Sequence, residues 1–299
     1  MKTMTETYSA LGALESPALD SPPFRSNMLT GQVAFVTGGG SGMGFGMARA
    51  FAQAGARVAI VSRTLDRLQG AVPKLLAMGV EVVAVPCDVR DPAAVDHAFE
   101  EVEQTLGPVT ILANNAGGNF PALAEKMSAN AWRAINQIAI DGTFLCSSEF
   151  ARRCKARGGK GSIVNNSAQY VWSGFPGDAH SASAKAAIVH MTRAMARDWK
   201  RDGIRVNCVA AGFFPHPDAV GGMPDGNDLT RMGSMFPIGR TGDMREWGWL
   251  ATLLVSPLSA GMTGETVLID GGDSLRRGLM SPAFIAPRQR ASIWGELPA

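Results

Sequence analysis

Four polar side chains have the types and spacing needed to stabilise negative charge on an oxygen atom. Ser181 and Lys185 stand four residues apart in HSASAKAAI (180–188), so a helix would place them on one face, one turn apart. Tyr170 precedes Lys185 by fifteen residues, and Asn119 lies in the run GGNF. A phenol, an amide and an ammonium group all donate hydrogen bonds, and donors directed at one point can bind an oxyanion. Whether they can act together depends on the elements that carry them.

Short runs of β-branched and apolar residues alternate with longer amphipathic segments through most of the chain. We predict seven strands, at residues 33–37, 57–62, 81–86, 109–114, 161–166, 204–209 and 266–270. We predict helices at residues 44–54, 64–77, 92–106, 129–156, 180–201 and 243–255. The strands are apolar throughout, which is typical of parallel strands covered on both faces. The predicted fold class is therefore α/β, with a seven-stranded, doubly wound parallel sheet and helices on both faces.

Two of the polar residues follow neighbouring elements of this predicted sheet. Asn119 comes just after the fourth strand and Tyr170 just after the fifth, so both lie at the carboxyl edge, where such folds bind ligands. Each has a plainer interpretation. Asn119 could simply turn the loop that follows Gly117-Gly118, and Tyr170 could be a packed aromatic residue with its hydroxyl at the surface.

A glycine-rich run, TGGGSGMGFG at residues 37–46, joins the first predicted strand to the first predicted helix. Glycines let the backbone approach a pyrophosphate, and the helix that follows presents its amide groups and positive dipole end. Glycine runs also make ordinary loops, so the prediction depends on the position between strand and helix. The predicted cofactor-binding residues of this run are Thr37, Gly38, Gly40, Ser41, Gly42, Met43 and Gly44.

The spacing T-G-x-x-x-G-x-G resembles the short-chain dehydrogenase/reductase family, and three further features fit that family. Asp88 ends the third strand in CDVRD, ANNAG (113–117) ends the fourth, and DGG (270–272) closes the last. The resemblance covers residues 30–272 and implies a single-domain Rossmann fold with a nicotinamide cofactor. It adds to the predicted cofactor site Asp88, Asn115, Ala116, Gly117, Lys185, Gly212, Phe213 and Phe214.

The end of the second strand predicts which nicotinamide cofactor is used. The sequence there is Ser62-Arg63-Thr64, without the acid that would accept a hydrogen bond from the ribose 2′-hydroxyl of NAD. The planar guanidinium of Arg63 can pair with a 2′-phosphate and stack on adenine, although a solvated surface arginine is the plainer interpretation. We therefore predict NADPH.

The usual proton relay of the family is damaged at two points. The family pattern is S…Y-x-x-x-K, with an asparagine in the preceding helix. Ser167 could match the serine, but Ser181 occupies the tyrosine position and Ala139 the asparagine position. An aliphatic hydroxyl is a much poorer acid than a phenol, whose pKa is about 10. Either catalysis has decayed to leave a cofactor-binding shell, or the polar groups have moved, and the location of Tyr170 favours movement.

This displacement resembles the NADPH-dependent 2,4-dienoyl-CoA reductases, a branch of the same family. The matching residues are NNAGGNF (114–120), MSANAW (127–132), DGTF (141–144), Tyr170 and SASAK (181–185). The resemblance implies that Asn119 and Tyr170 hydrogen-bond a thioester carbonyl. It also implies that Lys185 holds the nicotinamide ribose and that Ser181 supports the site.

The same resemblance implies contacts with cofactor or acyl-CoA at four other positions. These are Arg63 and three predicted substrate-binding residues, Arg90, Phe120 and Ser128. Arg90 could instead pair with Asp88 or Asp91 as a solvated charge, and Phe120 could be ordinary apolar filling.

The function implied is NADPH-dependent reduction of a 2,4-dienoyl-CoA to a 3-enoyl-CoA. The alternatives are an oxidoreductase for another enone or carbonyl compound, and a catalytically weak NADP(H)-binding protein. Residues 213–237 are irregular and rich in Gly, Pro and Met, so we predict a substrate lid there. Ala211-Gly212 replaces the Pro-Gly usual in the family, and the segment after it diverges.

Composition excludes several other classes of protein. A net charge of +2 gives no reason to expect nucleic acid or a membrane as partner, and the four cysteines and four histidines lack metal-ligand or disulfide spacing. Residues 1–29 read as a partly disordered lead-in without a secretory or transit pattern, and residues 273–299 as a C-terminal extension. We expect a cytoplasmic location. The family resemblance implies a homodimer or homotetramer that pairs through the helices at 129–156 and 180–201.

Overall fold

The seven predicted strands form one parallel sheet. The computed structural model describes residues 24–216, 229 and 233–276. The sheet order is β3-β2-β1-β4-β5-β6-β7, and each adjacent pair of strands is parallel. The strands are β1 (Val33–Thr37), β2 (Arg57–Ser62), β3 (Val82–Pro86), β4 (Ile111–Asn114), β5 (Gly161–Ala168), β6 (Ile204–Ala211) and β7 (Thr266–Ile269). From β1 the chain first adds β2 and β3 on one side of the sheet and then β4 to β7 on the other side. This reversal opens a crevice at the carboxyl ends of β1 and β4.

Helices connect the strands and cover both faces of the sheet. They are α1 (Gly42–Gln53), α2 (Leu65–Gln69), α3 (Val72–Leu76), α4 (Pro92–Leu106), α5 (Ala129–Asn136), α6 (Gly142–Ala156), α7 (Ala179–Trp199) and α8 (Met244–Val255). This arrangement confirms the predicted fold class.

Two predicted helices were wrong in detail. The segment 64–77 contains two short helices, α2 and α3, rather than one. Pro73 lies in the first turn of α3, and its missing N–H and its ring prevent one helix from running through. The predicted helix 129–156 is interrupted by a π-turn at Gln137–Asp141, where the backbone takes one residue more per turn.

The core lies in two apolar layers, one on each face of the sheet. One layer packs α1, α2, α3 and α8 against the sheet through residues such as Phe51 and Trp247. The other packs α4, α6 and part of α7, and its centre is a stacked pair, Phe35 and Phe99, with ring centroids 4.2 Å apart. Because both faces are covered, the strand ends at the carboxyl edge are the part of the sheet that can receive a ligand.

Several predicted segments lie wholly or partly outside the described residues. They are residues 1–23 of the lead-in, 217–228 and 230–232 of the predicted lid, and 277–299 of the C-terminal extension. The described end of the lead-in is packed: Leu29 is buried, and its N–H donates to the carbonyl of Ala54. Among the described helices, none has the length and apolar character needed to cross a membrane.

Candidate active site

The glycine-rich turn between β1 and α1 is a close-packed backbone cradle. Gly38 and Gly42 have positive φ angles of 66° and 50°, which side chains other than glycine rarely adopt. A Cβ atom at Gly44 would lie 2.1 Å from the carbonyl oxygen of Gly38, so only glycine fits there. The turn runs into the N-terminus of α1, whose first turn holds no acidic residue. This turn is suited to an anion such as a pyrophosphate.

One neighbour of the glycine turn was missed by sequence reasoning. A Cβ atom at Gly42 would lie 2.9 Å from Nδ1 of His216, so the imidazole ring of His216 lies against the turn. His216 follows β6 by five residues, and nothing in its spacing indicated this contact. The ring brings the chain after β6 next to the predicted pyrophosphate site.

Thr37 and Asn115 connect the ends of the strands on either side of the crevice. The Thr37 hydroxyl accepts hydrogen bonds from the backbone N–H groups of Asn115 and Ala116, each at 2.9 Å. The Asn115 side chain accepts a hydrogen bond from the amide of Asn166 at 2.9 Å. Their polar side chains therefore connect the ends of β1, β4 and β5 beside the glycine turn.

The charged residues after β2 and β3 form one small group. The guanidinium of Arg90 donates to both carboxylate oxygens of Asp88, with an Nε–Oδ1 distance of 2.9 Å. This hydrogen bonding holds the pKa of Asp88 below its usual value, and the charge of nearby Arg63 lowers it further. Of the two partners that the sequence allowed for Arg90, the structure selects Asp88.

This placement bears on the predicted substrate contact of Arg90. In the sheet order, β2, β1 and β4 separate β3 from β5, and β5 carries Tyr170. Strands lie about 4.8 Å apart, so the two strand ends are separated by roughly 19 Å. The position of Arg90, paired with an Asp88 that also interacts with the charge of Arg63, therefore suits the adenosine end of a dinucleotide better than the reacting end of a substrate.

The Tyr170 and Ser181 hydroxyl groups are in hydrogen-bond contact. Tyr170 lies in a 3₁₀ turn directly after β5, and its hydroxyl oxygen is 2.9 Å from that of Ser181 in the first turn of α7. Burial raises the pKa of Tyr170, the hydrogen bond with Ser181 opposes that shift, and the charge of Asp178 adds to it. The phenol therefore keeps its proton at neutral pH and can donate it to an oxygen.

Lys185 lies one turn further along α7, with its ammonium group enclosed at the strand ends. Its Nζ donates to the backbone carbonyl of Asn166 at 2.8 Å. A Cβ atom at Gly117 would be 4.0 Å from the same Nζ, so the ammonium faces the end of β4. Burial lowers the pKa of Lys185 to about 8. Ser167 donates to the backbone carbonyl of Lys185 at 2.9 Å and so anchors α7 to β5.

Asn119 is held by a residue that sequence reasoning missed. Its side-chain Nδ2 donates to Oδ2 of Asp178 at 2.9 Å, and its Oδ1 accepts from the backbone N–H of Phe120. Asp178 is buried and directly precedes α7, and its charge acts on Tyr170. Asn119, Tyr170 and Ser181 therefore lie at one end of α7. An aspartate directly before a helix is typical of an N-cap, so the sequence did not indicate that Asp178 contacts Asn119.

The loop that carries Asn119 also presents Phe120 to the site. The ring of Phe120 meets the ring of His180 edge-on, with centroids 4.6 Å apart. His180 is fully buried, and neither of its ring nitrogens has a hydrogen-bond partner among the residues that the structure describes. Two aromatic residues of the loop after Tyr170 are exposed, Trp172 at 45% and Phe175 at 57%, and the Phe175 ring centroid lies 6.1 Å from that of Tyr170. Apolar rings therefore accompany both Asn119 and Tyr170.

Four other predicted site residues have structural contacts of their own. Ser128 caps α5, with its hydroxyl accepting from the N–H of Ala131 at 3.1 Å. Gly212 donates to the carbonyl of Ile269 and joins β6 to β7. The ring of Phe214 is buried against Trp247, whereas Phe213 stacks on Phe236 at 6.4 Å. Phe213 is thus the better placed of the two phenylalanines to meet a ligand with its side chain.

The sheet order, the glycine turn and the helix that carries Ser181 and Lys185 are together typical of one protein family. Residues 26–274 match a family model described as "Enoyl-(Acyl carrier protein) reductase". The chain belongs to the short-chain dehydrogenase/reductase family, whose fold binds a nicotinamide cofactor and whose members are oxidoreductases.

Several relatives within the family are 2,4-dienoyl-CoA reductases by name. The chain is 37% identical to the peroxisomal 2,4-dienoyl-CoA reductase [(3E)-enoyl-CoA-producing] of Danio rerio, over 83% of each chain. It is 32% identical to "Probable 2,4-dienoyl-CoA reductase [(2E)-enoyl-CoA-producing]" of Bacillus subtilis, over 82% of this chain and 97% of that protein. A crystal structure of gluconate 5-dehydrogenase from Burkholderia cenocepacia with NADP and tartrate superposes with a TM-score of 0.77. It is 30% identical and covers 84% of this chain and 98% of the other.

Proposed function

We propose that the protein is an NADPH-dependent reductase that converts 2,4-dienoyl-CoA thioesters to 3-enoyl-CoA thioesters. The observation that carries the proposal is the contact between the Tyr170 and Ser181 hydroxyls, with Asn119 held at the same end of α7. These donors replace a relay whose usual positions hold Ser181 and Ala139. The similarity to named dienoyl-CoA reductases supports the same substrate class.

The residues present fit a nicotinamide dinucleotide. The glycine turn and the N-terminus of α1 would hold the pyrophosphate, and Lys185 would hold the nicotinamide ribose. Arg63 would pair with the 2′-phosphate of NADPH, with Arg90 close by and held by Asp88. The bound cofactor supplies a hydride.

The protein residues in turn control where negative charge collects. When the δ carbon of a conjugated dienoyl thioester accepts hydride, the electron pair moves to the thioester oxygen and gives a dienolate. Ser181 can donate its proton to the Tyr170 oxygen, which leaves the phenolic proton free for that oxygen. The second Nδ2 proton of Asn119 is a matching donor, because only one is used by Asp178. Donors fixed in this way stabilise an oxyanion by several kcal/mol.

Proton uptake completes the reaction and sets the product. A proton from solvent at the α carbon of the dienolate leaves the double bond between carbons 3 and 4. The net change is addition of one hydride and one proton to the dienoyl thioester. Uptake at the γ carbon would leave a 2-enoyl thioester. The name of the Danio relative specifies a (3E)-enoyl-CoA product and that of the Bacillus relative a (2E)-enoyl-CoA product.

Ketone reduction is disfavoured by the same site. It requires an acid next to the carbon that accepts hydride, and Ser181 is a far weaker acid than a phenol. Ala139, buried in the π-turn, supplies no polar group to relay a proton. The substrate site we infer therefore stabilises an oxyanion and does not protonate an alkoxide.

A substrate panel tests this proposal. NADPH oxidation is followed with a 2,4-dienoyl-CoA, a 2-enoyl-CoA, a 3-ketoacyl-CoA and a simple ketone, and the product double bond is located by NMR. Fast turnover of the dienoyl-CoA alone, with a 3-enoyl product, is expected. Faster turnover of a ketone or 3-ketoacyl-CoA would replace the proposal with another oxidoreductase, and NADPH binding without turnover of any substrate would indicate a cofactor-binding protein.

We also propose that the chain forms a homodimer or homotetramer. Trp132 on α5 and Phe144 on α6 are exposed apolar side chains in the region through which the family resemblance predicts pairing. Large apolar groups on a surface are commonly covered by another subunit. Light scattering coupled to gel filtration should give a mass of two or four chains, and a monomer at all concentrations would reject this.

A further inference from the structure

Two loops at the candidate site are tied together by contacts that the sequence did not predict. One loop runs from Gly117 to Leu123 after β4, and the other from Trp172 to Asp178 before α7. The backbone N–H of Ala122 donates to the carbonyl of Gly177 at 2.9 Å. The Asn119–Asp178 side-chain bond is a second tie of the same length. The loop with the proposed oxyanion donor is thus fastened to the loop that follows Tyr170.

The two bonds of the Asn119 side chain fix which way its amide points. An ionised carboxylate only accepts hydrogen bonds, so Asp178 must face the NH₂ group of Asn119. A backbone N–H only donates, so Phe120 must face the Asn119 carbonyl oxygen, at 2.9 Å. Turning the amide over would break both bonds at once. One N–H of Asn119 is therefore always left to point elsewhere.

The carboxylate of Asp178 does not cap α7. Asp178 precedes the helix, but its side chain makes no capping bond to the helix backbone. Its backbone carbonyl accepts from the N–H of Ala182 at 2.8 Å and satisfies the helix end. Its side chain is buried, and burying a carboxylate is costly unless it is hydrogen-bonded. Asn119 is the hydrogen-bond partner that the structure shows for this carboxylate.

We propose that Asp178 is a positioning residue that locks the Asn119 amide so that its free N–H is directed to the substrate oxygen. This inference rests on the proposed function, since it deepens the role given there to Asn119. The benefit of Asp178 is geometric, because a negative charge near a developing oxyanion raises the energy of that oxyanion. An uncharged acceptor at position 178 should therefore serve as well as the carboxylate.

A double-mutant cycle measures this role on the substrate that the unmodified protein reduces. Asp178→Ala should lower kcat at least tenfold with a smaller change in KM, whereas Asp178→Asn, whose carbonyl can accept from Asn119, should keep at least a third of kcat. The double variant Asn119→Ala/Asp178→Ala should be no slower than Asn119→Ala alone. Ser173→Ala, an exposed position on the same loop, is the matched control and should be unchanged. Full activity of Asp178→Ala, an equal loss in Asp178→Asn, or additive losses would overturn the proposal.

A second readout does not depend on the substrate. The side-chain NH₂ resonances of Asn119, assigned by their loss in Asn119→Ala, should show one slowly exchanging proton in the free protein. That protection should persist in Asp178→Asn and vanish in Asp178→Ala. Identical exchange in the unmodified protein and in Asp178→Ala would refute the positioning role. If the protein reduces no dienoyl-CoA but the protection is seen, the proposed function fails and the lock on Asn119 stands.

Discussion

The pH dependence of cofactor binding gives a direct test of Lys185. Burial lowers the pKa of this lysine to about 8 from its ordinary value of 10.5. If the ammonium form binds the nicotinamide ribose, NADPH affinity should fall as that proton is lost. The protonated fraction drops from roughly 90% at pH 7 to roughly 10% at pH 9, so the dissociation constant should rise about tenfold across that range.

Few other site groups interfere in this window. Burial raises the pKa of Tyr170 above its ordinary value of 10, and the hydrogen bond from Arg90 lowers that of Asp88, so neither changes charge between pH 7 and 9. NADPH fluorescence titrations at several pH values measure the effect. Lys185→Met removes the titrating group, and its affinity should be weak and independent of pH. Unchanged affinity of the unmodified protein from pH 7 to 9, or an equal slope in Lys185→Met, would refute the assignment.

The same lysine should make the free energy of unfolding of the cofactor-free protein rise with pH, whereas the affinity for NADPH falls. Its folded-state pKa lies below its unfolded value, so the unfolded chain binds the proton more tightly. The cost of burying the ammonium is fully present below pH 8 and disappears as pH rises towards 10.5. The contribution is on the order of 3 kcal/mol, and urea unfolding of the unmodified protein against Lys185→Met should show it.

Four further substitutions probe the rest of the site. Arg63→Ala should weaken NADPH binding about 10- to 150-fold by calorimetry and leave NADH binding unchanged, since a charge-assisted hydrogen bond contributes about 1.5–3 kcal/mol. Arg193→Ala, at an exposed arginine on α7, is the control. Equal affinities of the unmodified protein for both cofactors would reject the role of Arg63. Tyr170→Phe should lower kcat about 100- to 1,000-fold. Ser181→Ala should lower kcat less, because it removes only the group that orients the phenol. Full activity of Tyr170→Phe would mean that the phenol is misassigned. His180→Leu should raise the free energy of unfolding by about 1–2 kcal/mol in urea titrations, because it removes two buried nitrogens that have no hydrogen-bond partner among the described residues. A lower free energy of unfolding would show that those nitrogens make stabilising hydrogen bonds.

The strand pattern alone was enough to predict the fold and the sheet edge at which the candidate residues lie. Each strand could be predicted from a continuous apolar run, and a parallel sheet brings the residues after β4 and β5 to one edge. The contact between the Tyr170 and Ser181 hydroxyls is compatible with that geometry, because Ser181 lies in the first turn of the helix that follows β5. The fold prediction holds because it depends on periodicity, which local sequence carries.

Contacts between loops could not be predicted in this way. The bond from Asn119 to Asp178 spans 59 residues and depends on the path of both loops. Arg90 had two acidic neighbours in the sequence, and only the turn geometry after β3 selects Asp88. The break at Pro73 was visible in the sequence, but the amphipathic pattern on both sides of it favoured one long helix. Where local sequence patterns favour two different structures, or where a contact joins two distant loops, the packing of the whole domain determines the outcome.

The displacement of the phenol has a physical reason in the chemistry proposed. In carbonyl reduction the hydride and the proton go to adjacent atoms, so the acid must stand beside Lys185, one turn earlier on the same helix. Ser181 fills that position, and the Tyr170 hydroxyl oxygen lies 2.9 Å from the Ser181 hydroxyl oxygen. In conjugate reduction the oxygen that gains charge is several bonds from the carbon that accepts hydride, so its donors must lie further along the crevice. A ketone held for hydride transfer would present its oxygen to Ser181, a poor acid, whereas a dienoyl thioester held in the same way would extend past Ser181 and present its oxygen to Tyr170 and Asn119.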